Sequence, residues 1–118
     1  MGGVTLRLVR GDVWDAEFDP VRGREQAERR PAVIVSSAEV NRGRSELIFV
    51  VPITRRNRGI PSHVPIRPPE GGLTSPSVIM CEQLRTFAIE RLLRRRGSVS
   101  PDTLREIEWR LQYLLDVE

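Results

Sequence analysis

Three groups of side chains combine guanidinium charge with hydrogen-bond donors where the chain passes between apolar runs. Glu25, Arg29 and Arg30 precede Pro31, which opens the run PAVIVSS, so their heads are held where a charged loop meets the rim of a sheet. Thr54 closes LIFVVPI and stands directly before Arg55 and Arg56. Gln83, Arg85 and Thr86 lie at the junction of two further apolar runs. The guanidinium fork suits phosphate oxygens better than a point charge does. Fixed donors, guanidinium charge and one nearby carboxylate are what RNA cleavage without a metal requires. A base must take the 2′-hydroxyl proton, donors must be in place before charge develops on the phosphorane, and the leaving 5′-oxygen needs a proton.

On residues alone this chemistry has competitors. Asp15, Glu17 and Asp19 share one face of an alternating segment and offer oxygen ligands for Mg²⁺, although a solvated acidic strand face is the commoner arrangement. The chain has one His (His63) and one Cys (Cys81). A Cys/His zinc site and an internal disulfide are therefore excluded within one chain. Ser/His/Asp catalysis would have to run through His63, and a lone His in a proline-rich segment is usually structural. There is no glycine-rich phosphate loop; Gly71-Gly72 reads as a turn. Six aromatic residues, with Trp14 and Phe18 placed in the core, are too few for a base-stacking sheet. No cofactor is expected.

The charge supports a polyanionic partner. All 19 basic residues are arginine against 16 acids, a net charge of +3. Residues 1–100 hold 17 of the arginines and 11 acids, whereas residues 101–118 hold 2 arginines and 5 acids. The body is a basic surface and the terminal element an acidic one. Arg94, Arg95 and Arg96 read as a solvated face rather than a specific site, with extension of a phosphate track as the alternative.

These groups must be positioned by short β-elements and one helix. The segment 10–19 alternates, with Trp14, Ala16 and Phe18 on one face, and Pro20 stops it. Residues 20–30 read as a charged loop. PAVIVSS and LIFVVPI read as buried strands, with Pro52 marking an edge, a bulge or a strand end. Residues 55–76 are the most loop-like part of the chain, interrupted by a short strand at 63–66. Strands follow at 77–81, 84–89 and 92–99. Ser100-Pro101 then supplies an N-cap and a first-turn proline for a helix of about four turns carrying Leu104, Ile107, Leu111, Leu114 and Leu115. Trp109 and Tyr113 fall opposite that stripe, where either a second contact surface with a partner chain or a neighbouring loop would cover them. The pattern predicts a small, strongly curved antiparallel sheet or barrel of class α+β, one domain over residues 1–118. No apolar stretch approaches the roughly 20 residues of a membrane span, and the single cysteine suits a cytoplasmic location.

Residues 10–37, RGDVWDAEFDPVRGREQAERRPAVIVSS, resemble the N-terminal signature of MazF/PemK-type toxins. In that family R-G-D/E-[IV]-[WY] leads through D-P-x-x-G-x-E-Q to R-R-P-A-V-[IV]-[VL]-S. The resemblance continues through VVPIT at 50–54, HVPI at 63–66, CEQLRT at 81–86 and the closing RGSVSPDTLREIEWRLQYLLDV. It covers nearly the whole chain in order. It implies an SH3-like antiparallel β-barrel with a C-terminal helix, forming a homodimer. It also implies a metal-independent, sequence-selective endoribonuclease acting on single-stranded RNA and restrained by a cognate antitoxin. Arg30 and Thr54 match the family's catalytic pair, and Glu25 an acidic position that some relatives use in catalysis. Gln26, Gln83, Arg85 and Thr86 fall where relatives contact RNA, and Arg29 and Arg55 flank the pair as further RNA-binding candidates. Arg24, where the family usually has a small residue, and Arg29 depart from the family pattern. The alternative is a non-catalytic toxin of the same barrel that acts by binding a protein such as gyrase.

Overall fold

A computed structural model of the chain describes residues 7–18 and 28–116. Three central strands form the middle of the sheet: β1 (Asp12–Phe18), β2 (Glu28–Ile34) and β3 (Leu47–Thr54). Around them lie β4 (His63–Ile66), β5 (Ser77–Met80), β6 (Arg85–Ala88) and β7 (Leu92–Ser98). The path runs β4-β5-β3-β2-β1-β7, with β6 also paired to β3, and every pairing is antiparallel. A one-turn helix α1 (Ala38–Asn41) links β2 to β3, and α2 (Pro101–Leu115) closes the described chain. The α+β architecture expected from the sequence is the one observed.

The continuous apolar runs of β2 and β3 follow from a sheet covered on both faces. Val13, Val33, Val51, Ile53 and Ile79 enter one core, which α2 closes with Ile107. Trp14, Ala16, Ala32, Ile34, Ile48, Val50 and Phe87 enter the other. Asp15 and Glu17 stay half-buried on β1 while Trp14, Ala16 and Phe18 are buried, as the alternation predicts. Val13 is buried as well, because at its end of β1 the opposite face is covered by the core that α2 closes. Pro52 lies within β3, where the strand leaves β6 at Val50 and takes up β5 at Ile53. A missing N–H is least costly at such a changeover.

Two sequence expectations need correction. Residues 28–30 are not loop: β2 begins at Glu28, and Arg29 and Arg30 pair with Glu17 and Ala16 of β1. Leu114 and Leu115 lie on the helix but remain exposed, so the packed stripe ends at Leu111. Ser100 caps α2 as expected, its hydroxyl accepting from the Thr103 N–H. Trp109 and Tyr113 are 65% and 82% exposed, on the outer face of the helix.

Candidate active site

Arg30 and Thr54 are brought together by sheet register. β2 and β3 pair Ile34 with Val50, Val33 with Val51 and Ala32 with Pro52. Beyond Ala32–Pro52 the two strands carry Arg30 and Thr54 to the same place, where both line the same two cavities. Pro31 keeps β2 extended up to that point, since the residue before proline is driven out of the helical region.

Both side chains line two adjoining cavities and form the ridge between them. The larger, about 520 Å³, is also lined by Glu28, Arg29, Arg55, Arg56, Arg96 and the hydroxyl-bearing Thr74, Ser75 and Ser77. The smaller, about 310 Å³, is lined by Arg56, Arg58, Ile60, His63, Met80, Glu82 and Gln83 besides the pair. Six arginines thus face the two cavities against two acids. The site attracts anions and is too open to be dry.

Arg30 is partly buried and makes an ion pair with Glu28. Five N–H donors in a fork leave further donors for a ligand. Thr54 Oγ1 accepts from the Arg56 backbone N–H at 3.2 Å. The bond orients the hydroxyl and leaves its hydrogen free to donate. Arg96 is held by the Gly72 carbonyl at 3.1 Å and by Asp15 at 3.0 Å. That grip depends on Gly72, at φ +68°, where a Cβ would lie 2.1 Å from the Arg96 carbonyl oxygen. Gly71-Gly72 is the turn expected.

Of the other sequence candidates, Gln83 lines the smaller cavity, and Arg29 and Arg55 the larger. Arg29 also approaches Glu17 across the strands at 3.5 Å. Arg85 and Thr86 are on β6 and line neither cavity; Arg85 lies over the Phe18 ring, 5.2 Å from its centre. Glu25 and Gln26, with Arg24, lie outside the described residues.

The competing chemistries fare differently. Asp15 is gripped by Arg96 and approached by Arg94, and Glu17 faces Arg29, so both carboxylates of the β1 face have arginine partners. Asp19 lies outside the described residues. Among the described residues no three His, Cys, Asp or Glu side chains gather as metal ligands. Burial pushes the Cys81 thiol up to about 11, which leaves it inert as a nucleophile at neutral pH. His63 is buried beside the site, its Nε2 2.8 Å from Glu82 Oε2. Glu82, next to Gln83 in the chain, is a site residue that the sequence pattern does not mark. Its only signal was adjacency, because the partners that hold it come from β4 and the turn before it.

No helix among the described residues is long and apolar enough to cross a membrane. Residues 9–115 match the model of the PemK-like, MazF-like toxins of type II toxin–antitoxin systems. The chain is 36% identical over 113 residues to Endoribonuclease MazF9 of Mycobacterium tuberculosis, a match covering 92% of this chain and 96% of the relative. It superposes on MazF in a MazE–MazF crystal structure from Deinococcus radiodurans with a TM-score of 0.77 at 29% identity, covering 92% of this chain and 96% of that one. With the Mycobacterium tuberculosis toxin MazF-mt6 the TM-score is 0.75 at 25% identity, covering 91% and 98%. Strand order, terminal helix and near end-to-end sequence match agree: the chain belongs to the PemK-like, MazF-like toxins of type II toxin–antitoxin systems.

Proposed function

We propose that the protein is a toxin endoribonuclease that cuts single-stranded RNA at the Arg30–Thr54 ridge without a metal. The observation that carries this reading is the pairing of a guanidinium and an oriented hydroxyl on adjacent strands, both lining two arginine-rich cavities. A phosphodiester laid across the ridge has room for one nucleotide on either side. The 2′-oxygen attacks the phosphorus, the bond from phosphorus to the 5′-oxygen breaks, and the products are a 2′,3′-cyclic phosphate and a 5′-hydroxyl. Arg30 and Thr54 stabilise the charge that grows on the non-bridging oxygens. A guanidinium does not give up its proton in proteins, so water supplies the proton to the leaving oxygen. Glu25 is the base assigned to the 2′-hydroxyl, and Gln26, Arg29, Arg55, Gln83, Arg85 and Thr86 are assigned to RNA binding. Dependence on the 2′-hydroxyl makes DNA a non-substrate.

The toxin acts in the cytoplasm as a single domain over residues 1–118, as a homodimer, and is restrained by a cognate antitoxin protein. The deciding test is incubation with mixed RNA in excess EDTA. The parent should give discrete fragments, and Arg30→Ala should lose about 10²–10³ in rate while remaining folded. Parental rates in Arg30→Ala would remove the assignment. Intact RNA together with tight gyrase binding would replace the nuclease by the protein-binding alternative.

A further inference from the structure

The smaller cavity contains a feature that phosphate binding does not explain. Its lining brings three arginines to the site, yet also carries one carboxylate, Glu82, which repels a phosphate. Glu82 is not loosely held. Ser62 donates its hydroxyl to Oε1 at 2.7 Å, and the buried His63 contacts Oε2 at 2.8 Å. Burial works to raise the Glu82 pKa, but the hydrogen bonds from Ser62 and His63 outweigh it and hold the group below the ordinary carboxylate range. It is thus a fixed, ionised acceptor rather than a base, and each oxygen keeps lone pairs for a ligand. Its neighbours Ile60 and Met80 give the cavity apolar surface suited to a base. The larger cavity also carries a carboxylate, Glu28, but that one is paired with Arg30, and the Thr74, Ser75 and Ser77 hydroxyls beside it suit ribose and phosphate oxygens.

We propose that Glu82, braced by Ser62 and His63, reads the base next to the scissile phosphate and selects guanine there. This rests on the reading of Arg30 and Thr54 as the cleavage site. An ionised carboxylate only accepts. Guanine alone offers two adjacent donors, N1–H and N2–H₂, on its Watson–Crick edge. Adenine and cytosine set an acceptor beside their amino group, and uracil flanks its single N–H with carbonyls. Each of those edges turns a lone pair toward Glu82, a repulsive acceptor–acceptor contact in place of a hydrogen bond. Selectivity for guanine is therefore placed on the Glu82 side of the cut.

The test maps 5′ ends in a randomised single-stranded RNA pool cut by the parent chain, Glu82→Gln, Ser62→Ala and Arg30→Ala. The parent should prefer guanine at one position adjoining the cut. Glu82→Gln, whose amide also donates, should lower guanine's advantage at that position about tenfold or more and leave other positions unmoved. Ser62→Ala, which frees one oxygen by removing a surface-accessible hydroxyl, should lower it by a smaller factor, and it carries the test alone if Glu82→Gln does not fold. The inference falls if the parent has no guanine preference beside the cut, or if that preference survives these changes. Arg30→Ala separates the two levels. Parental rates there remove the cleavage site itself, whereas a dead Arg30→Ala with unmoved Glu82→Gln selectivity removes only the base reader.

Discussion

At the scale of single residues, the site holds a substitute for its own substrate. The guanidinium of Arg30 is paired with Glu28, two residues earlier on the same strand. An RNA phosphate bound at Arg30 as proposed would have to displace that carboxylate or share the fork with it. The pair is partly exposed, and such pairs are worth roughly 0.2–1 kcal/mol. Glu28→Gln keeps a hydrogen-bond acceptor but removes the competing charge, so KM for RNA should fall by up to about fivefold with kcat little changed. Steady-state kinetics on one cleavable oligonucleotide would show it. A large fall in kcat would instead show that Glu28 takes the 2′-hydroxyl proton, displacing Glu25 from that role. The same local economy explains β1: Asp15 and Glu17 offered oxygen ligands on paper, but β2 and β7 deliver arginines to them.

At the scale of elements, positioning comes from pieces with separable energetics. Helix α2 depends on the Ser100 cap and on Ile107, its fully buried anchor. Ser100→Ala should cost about 1 kcal/mol, seen as a lower urea midpoint at unchanged slope. Ile107→Ala should cost about 2–5 kcal/mol by the same measurement. Neither touches the ridge, so rates well below the transition should hold. The elements were legible in the sequence where burial left a mark: β-branched runs for β2 and β3, alternation for β1, and cap-plus-proline for α2. The start of β2 was not, because Glu28, Arg29 and Arg30 are strand by pairing with β1 rather than by apolar pattern. Thr54 could be placed at a strand end and Arg30 at the rim just before one, but their adjacency required the β2–β3 register. Glu82 required more still, since Ser62 and His63 reach it from 20 and 19 residues away.

At the scale of the whole molecule, the distribution of charge matters more than its sum. A net +3 is modest for an RNA-binding protein, but six arginines line the two cavities while α2 and its tail carry the negative balance. Each guanidinium that neutralises a phosphate releases counterions, so binding to a single strand weakens with salt at a slope of about −0.7 per contact. If Arg30, Arg55 and Arg56 each take one phosphate, the log–log slope should be near −2. The ligand for this measurement is an oligonucleotide of a mapped site whose scissile 2′-hydroxyl is replaced by hydrogen, which binds without being cut. Arg56 lines both cavities, so Arg56→Gln should reduce the slope's magnitude by about 0.7. Arg105 pairs with Asp102 on α2 and lines neither cavity, so Arg105→Gln should leave the slope alone. Equal effects from the two changes would mean that RNA is drawn by the diffuse field of the protein. An effect confined to Arg56 would mean that the strand follows the cavities across the ridge, which the proposed chemistry requires.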